Sequence, residues 1–384
     1  MMRIVICGPA HPYRGGIAAY NERLAQQFLR EGDAAAIYTF KVQYPSFLFP
    51  GKTQYDDGYA PEGITITRAI NSVNPINWFN IGLRLRRTRP DMIILRYWLP
   101  FLAPALGFIA RIVRSNGHTR VITIFDNILP HEKRIGDKAL TRFFINSIHG
   151  ALVMTRAVEN DLRQFNKKIP CVVSPHPLFD TYSAPVPRSE AIVRLKLCPA
   201  NKFILFFGFI REYKGLDLLL HAMADPAVQS LGVKLIVAGE FYEDEKPYFD
   251  LIRTLDIGQN VLLHTHFISN EDVRYYFSAA SLVVQPYRSA TQSGVTQVAY
   301  YFNKPMVVTD VGGLAEIVPD GKSGYVVPPE PAAIANAIAD FFNGDEERFS
   351  AGIEEQKKFY TWDRLTEALR GLVRMTQRRN KALN

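Results

Sequence analysis

Two cations, Arg211 and Lys214, sit in the turn GFIREYKG (residues 208–215), between an apolar run and an apolar helical pattern. Side chains of that type at a helix start would clamp a diphosphate, because their charge and N–H groups add to the positive end of the helix dipole. The structural alternative is a pair of solvated loop charges. A second turn of the same build, RSATQSG (288–294), joins the strand-like stretch 281–285 to an apolar run of helical length, 295–302. There Thr291, Gln292 and Ser293 add side-chain donors to the unpaired N–H groups of a helix start, which suits an anion. A third turn, residues 8–16, ends in Gly15 and Gly16 directly before a helical pattern. Paired glycines let a ligand approach the backbone closely, but the G-x-G-x-x-G spacing of a dinucleotide fingerprint is not met. An ordinary strand–turn–helix crossover explains any one of these turns. Together the three point to phosphate.

The elements that must hold these turns alternate. Strands are predicted at 3–7, 34–40, 65–69, 92–95, 120–125, 151–155 and 169–174, with helical patterns between most of them, the first over 17–31. The pattern restarts with strands at 203–207, 234–238, 261–263, 281–285 and 305–309, and helices at 215–223, 270–280 and 295–302. Such alternation predicts an α/β architecture of two doubly wound parallel sheets. Residues 41–63, rich in aromatics, prolines and glycines, read as a loop insertion. The stretch 175–199, punctuated by five prolines, reads as the linker.

A chain of 384 residues suits two domains. Its 47% hydrophobic and 21% charged residues are those of a globular protein in water. Three cysteines, Cys7, Cys171 and Cys198, with no C-x-x-C, fit a reducing, cytoplasmic compartment. The N-terminus reads as a first strand, not a signal peptide. The charge-free stretch 97–110 holds two prolines and is too short to span a bilayer, so it reads as a buried crossover helix. Charge is uneven: residues 1–180 hold 23 Lys and Arg against 13 Asp and Glu, and residues 181–384 hold 22 against 24. A basic first half, with Arg84, Arg86, Arg87 and Arg89 clustered before Pro90, predicts an acidic partner. Anionic lipid at the inner membrane face fits. Nucleic acid does not, since cations and aromatics are not interleaved along any one element.

In GFIREYKGLDLLL (208–220), VAGEF (237–241), PMVVTDVGGLAEIV (305–318) and the terminal YTWDRLTEALRGL (360–372), the chain resembles the retaining glycosyltransferases of family 4. The resemblance implies the GT-B fold, two Rossmann-like domains facing a cleft. It also implies an acceptor-side domain over 1–180, a nucleotide-sugar domain over 181–361, and a helix, 362–384, packing back on the first. By the same resemblance Arg211 and Lys214 hold the donor diphosphate, and Ser293, Gly294 and Val295 offer it N–H groups. Gly16, Glu240, Thr291 and Gln292 complete the donor-binding candidates. The acceptor is a glycan or a lipid-linked sugar of the bacterial envelope or exopolysaccharide.

Two departures stand out. The family's E-x7-E pair would fall on Ala290 and Val298, so both carboxylates are absent and the TQSG turn is left to recognise the sugar. The histidine that commonly ends an acceptor-domain strand is also missing; the place reads TIFDN (123–127), with His131 a few residues on. Asp126 and His131 are therefore alternative candidates for contact with the reacting sugar. No Asp-x-Asp occurs in a metal-binding context, so no metal or other cofactor is expected. Cations and N–H groups would stabilise the leaving diphosphate, and retention would follow from front-face attack, as the family implies. The rival class is a non-catalytic GT-B protein that binds a nucleotide sugar or serves as a partner subunit.

Overall fold

The structure, a computed structural model, describes residues 1–384 except 46–53, 56–58, 130–134, 292 and 384, and the side chains of 379–383. The chain divides into two units, Met1–His176 with Trp362–Asn384, and Pro177–Thr361.

The first unit is built on seven strands: β1 (Arg3–Cys7), β2 (Ala34–Val42), β3 (Thr65–Asn71), β4 (Met92–Tyr97), β5 (Arg120–Phe125), β6 (Gly150–Val153) and β7 (Cys171–Val173). They pair in the order β3-β2-β1-β4-β5-β6-β7, every pair parallel. The crossovers carry α1 (Gly16–Arg30), α2 (Pro75–Thr88), α3 (Ala103–Arg114), α4 (Asp137–Ile145) and α5 (Arg156–Phe165). Side chains alternate across a strand, and β4 and β5 show the consequence. Ile93, Leu95, Val121 and Phe125 join a core with α2, α3 and α4, while Met92, Ile94, Ile122 and Ile124 join a second core with α1. The C-terminal helix, Trp362–Leu383, also closes that second core with Trp362, Leu365, Leu369 and Leu372.

The second unit repeats the plan with six strands: β8 (Phe203–Phe207), β9 (Lys234–Ala238), β10 (Val261–His264), β11 (Leu282–Gln285), β12 (Met306–Thr309) and β13 (Gly324–Val327). Their order, β10-β9-β8-β11-β12-β13, is again wholly parallel. Its helices are α6 (Arg188–Arg194), α7 (Leu216–Met223), α8 (Pro226–Gln229), α9 (Lys246–Thr254), α10 (Val273–Ala279), α11 (Gly294–Tyr301), α12 (Leu314–Ile317), α13 (Pro331–Asn343) and α14 (Ser350–Lys357). Both units are Rossmann-like, and in each the strand order reverses once, between β1 and β4 and between β8 and β11. Ligands of open α/β sheets bind at the carboxyl ends of strands at that reversal.

The stretch 175–199 is more than a linker. It contains α6, whose Ala191 and Ile192 are buried in the second core, with α6 packed on α10. The prolines frame this helix and do not interrupt it. The charge-free stretch 97–110 contributes Tyr97 to β4, a short 3-10 turn and most of α3, and no helix among the described residues is long and apolar enough to cross a membrane.

Candidate functional site

At the second unit's reversal, four loops leave the carboxyl ends of β8, β9, β11 and β12, and backbone packs directly on backbone. Gly239, after β9, has φ 149°, and a Cβ there would stand 2.1 Å from the Gly208 carbonyl oxygen. Gly215, after β8, has φ 65°, and its Cβ would stand 2.0 Å from the Pro286 carbonyl oxygen. No side chain fits at either place, so glycine is what allows the loops to touch. Hydrogen bonds complete the weave. Gly208 N–H donates to Ala238 O at 2.9 Å, Ile210 N–H to Glu240 O at 2.9 Å, and Arg288 N–H to Tyr213 O at 2.7 Å. Thr309 Oγ1, ending β12, donates to Tyr287 O at 2.6 Å.

This weave positions the two cations. Arg211 precedes a single 3-10 turn, Glu212–Lys214, that Gly215 ends in the left-handed conformation before α7. The turn folds Lys214 inward until it is only 9% exposed. Its ammonium lies 5.7 Å from the centroid of the Tyr287 ring, and a Cβ on Gly208 would stand 3.1 Å from Nζ and 3.7 Å from Val295 Cγ2. Arg211 lies 5.4 Å over Tyr242, which itself packs on Phe209 with centroids 4.2 Å apart. Among the described residues neither cation has a carboxylate partner, whereas Arg288 nearby is paired with Asp217 at 2.6 Å. Burial, and then the charge of Arg211, lowers the Lys214 pKa from 10.5 to about 7. Lys214 is therefore not a solvated loop charge.

The N-terminus of α11 adjoins this group through Val295. Its cap, Ser293, has φ −135° and makes no side-chain capping bond; its Oγ lies 3.3 Å from Tyr287 Oη instead. The first N–H groups of a helix have no intrahelical partner, and Gly294 is exposed, so this end is open. A Cβ on Gly294 would stand 3.2 Å from a carbon of the Phe179 ring. Thr291 is half-buried in the turn before, Glu240 is buried in the loop that follows β9, and Gln292 lies outside the described residues. The positions of the absent carboxylates, Ala290 and Val298, are buried in the apolar core.

The first unit's reversal is organised differently. Continuing the strand alternation puts Arg96 and Asp126 on the same face as Ile94 and Ile124, toward α1. There Arg96 Nε and Nη2 donate to the two Asp126 carboxylate oxygens at 2.7 and 2.5 Å, and the guanidinium lies 3.9 Å over the Tyr20 ring. Arg96 is 1% exposed. Burial alone would lower its pKa, and Asp126, with Tyr20, more than reverses this. Asp126 thus makes a bidentate ion pair with Arg96. His131 lies outside the described residues, and Gly16, in this unit, is exposed at the start of α1. Arg96 is the residue that the sequence pattern does not single out: the predicted strand ends at Leu95, before the charge, whereas β4 runs on to Tyr97. An arginine directly continuing a buried MIIL run was the available signal.

Comparison with known proteins adds to this geometry. The family description "Glycosyl transferases group 1" matches residues 201–343. The D-inositol 3-phosphate glycosyltransferase of Streptomyces griseus is 32% identical over 197 residues, 48% of this chain; the chain spans less than half of that relative, 42%. The O-antigen chain mannosyltransferase C of Escherichia coli is 24% identical over 372 residues, 92% of each chain. Among solved structures, Anabaena HepE in complex with UDP-glucose superposes with a TM-score of 0.70 at 15% identity, covering 99% of this chain and 100% of that one. The stretch from β8 to α13, which carries every loop of the second site, is thus matched by the group 1 glycosyl transferases, on a two-unit fold that the whole chain shares with HepE.

Proposed function

We propose that this protein is a glycosyltransferase that moves a sugar from a nucleotide-diphosphate sugar to an acceptor hydroxyl with retention of anomeric configuration. The single observation that carries the reading is the pair Lys214 and Arg211. A buried cation without a counter-ion is costly, and it stands beside an open helix start at the fold's ligand-binding edge. An anion with two adjacent charged groups relieves that cost, and a diphosphate is such an anion. As the anomeric bond breaks, charge grows on the leaving diphosphate, and cations fixed there stabilise that charge without reorganising. Arg211, Lys214 and the N–H groups of Ser293, Gly294 and Val295 hold the diphosphate, and no metal is needed for this step. Glu240, Thr291 and Gln292 serve the donor's nucleoside and sugar, Gly16 gives a backbone approach, and Asp126 or His131 contacts the reacting sugar. Asp126 orders the acceptor side through Arg96. The retaining outcome follows from front-face attack, the leaving phosphate taking the acceptor's proton.

The similarity to an O-antigen chain mannosyltransferase supports a glycan or lipid-linked acceptor of the bacterial envelope or exopolysaccharide, and the likeness to a structure solved with UDP-glucose supports a nucleotide-sugar donor. Thermal-shift titration with UDP-glucose, GDP-mannose and ADP-glucose tests the reading. One of them should stabilise the second unit, by about 2.7 kcal/mol when present at about 100 times its dissociation constant. A flat response to all three, with no release of nucleotide in the presence of glycan acceptors, would sink it.

A further inference from the structure

In the first unit, α2 and α3 lie side by side over one face of the sheet in fixed register. Trp78 meets Phe108 with centroids 6.4 Å apart, a Cβ on Gly82 would stand 2.8 Å from Ile112 Cδ1, and Asn116 Nδ2 donates to Arg86 O at 3.3 Å. Ile81 and Leu85 of α2, and Leu106, Ile109 and Val113 of α3, face the core. The outward stripe of α2 runs Ile76, Phe79, Leu83, Arg86, a spacing that keeps all four on one face. Ile76 is 73% and Phe79 49% exposed, with Phe108 of α3 at 40% and Val73 exposed just ahead of α2. Large apolar side chains in the open are ordinary when scattered, but adjacent ones mark a surface that meets something.

The other end of the same face is cationic. Arg84, Arg86, Arg87 and Arg89 close α2, and Arg111 and Arg114 close α3. Neither helix contains an Asp or Glu, and none of these six arginines makes a salt bridge among the described residues. Between residues 63 and 125 the one carboxylate is Asp91, which accepts from Arg3 N–H and is paired with His118. A cationic helix end interacts favourably with its own dipole, but that explains neither the lack of any acidic residue nor the apolar stripe. Because crossover helices run opposite to the strands, Ile76, Phe79 and Phe108 lie toward the carboxyl edge of the sheet, where β1, β4 and β5 deliver their loops.

We propose that the α2–α3 face is a docking surface for an anionic lipid bilayer, with Ile76, Phe79 and Phe108 entering the headgroup–acyl boundary and the exposed Arg84, Arg86, Arg87 and Arg89 meeting lipid phosphates. Only a partner that presents apolar chains and closely spaced negative groups in one plane matches both ends of this face, and a helix pair of this kind lies in the interface without crossing it. A nucleic acid would leave the apolar end unmatched. The inference extends the glycosyltransferase reading by giving the acceptor side a membrane to work on, yet it stands on residues far in sequence from the donor loops.

The test is co-sedimentation of the full chain with vesicles of phosphatidylcholine alone or mixed with phosphatidylglycerol, at low and high salt. Binding should require phosphatidylglycerol and weaken with salt. Ile76→Ser with Phe79→Ser, and separately Arg86→Gln with Arg87→Gln, should each reduce partitioning at least tenfold, since each surface arginine contributes roughly fivefold. Both pairs are exposed, so thermal melts and UDP-glucose, GDP-mannose or ADP-glucose binding should match the wild type. Equal binding to both vesicle types, or binding that neither variant reduces, overturns the proposal. So does concentration-dependent self-association in sedimentation equilibrium that Phe79→Ser abolishes, which would assign the face to a second copy of the chain. Loss of sugar-nucleotide binding in the wild type would instead defeat the functional reading and leave the vesicle result standing.

Discussion

The two sheet reversals of this chain have the same topology and opposite electrostatics. At the β1–β4 reversal a buried arginine, Arg96, finds Asp126 one strand away and is neutralised by a two-pronged bond. At the β8–β11 reversal a buried lysine, Lys214, has no carboxylate partner among the described residues and stands near Arg211 and the Tyr287 ring. In the first unit the cation serves the fold. In the second, the described side chains leave a cation uncompensated, and they do so beside an open helix start. The difference teaches where to look for a ligand in paired Rossmann-like units: where the internal charge balance has been left incomplete.

The largest effect should come from unbalancing the first site. Asp126→Ala leaves Arg96 buried and unpaired, and removing one partner of a buried pair costs about 3–5 kcal/mol. Urea unfolding followed by a probe in the first unit should register it, since a two-unit chain need not melt as one. Arg96→Met combined with Asp126→Leu should recover most of the loss, because an apolar pair of similar volume replaces a buried ion pair at little cost. A single Asp126→Ala variant as stable as wild type would mean that the pair does not hold the fold, and the contrast between the two sites would fail.

A smaller effect, of the opposite kind, is expected in the second site. Lys214→Met removes an uncompensated charge and should leave the second unit as stable as before or more so. It should weaken sugar-nucleotide binding by about 1.5–3 kcal/mol, the loss of a charge-assisted hydrogen bond. Equilibrium binding and unfolding measured on the same variant separate the two. A stability loss matching that of Asp126→Ala would make Lys214 a structural residue like Arg96.

Much of this framework was legible in the sequence. Strands β1, β5, β8 and β9 fall where apolar runs bounded by turn residues place them, because central strands of a parallel sheet are buried on both faces. The reading failed where tertiary partners override local pattern. Strand β4 continues through Arg96 because Asp126, brought alongside by the β4–β5 register, pays for burying the charge. Helix α6 was hidden among prolines because its apolar face is only two residues, Ala191 and Ile192. Strand β13 is a four-residue edge with no alternation to announce it. At the second site, the cations and glycines could be read as a phosphate turn. That Lys214 is buried could not, since its burial depends on Tyr287 and Val295, which the β11–α11 segment brings up from far along the chain.

The smallest expected effect gives the most direct test of the central claim, that Lys214 is held for a diphosphate. With its pKa lowered to about 7 in the free protein, Lys214 is only partly charged near neutrality. A bound diphosphate favours the ammonium and raises that pKa, so binding takes up a proton. Affinity should therefore be greatest below about pH 7 and should fall as pH rises through and above it. Calorimetric titration of UDP-glucose, GDP-mannose and ADP-glucose in buffers of different ionisation enthalpy measures this uptake, and these probes carry no titrating phosphate of their own in that range. The account predicts fractional proton uptake on binding at neutral pH, growing as the pH is raised, and absent in Lys214→Met. Binding of full affinity without proton uptake, unchanged in Lys214→Met, would contradict it.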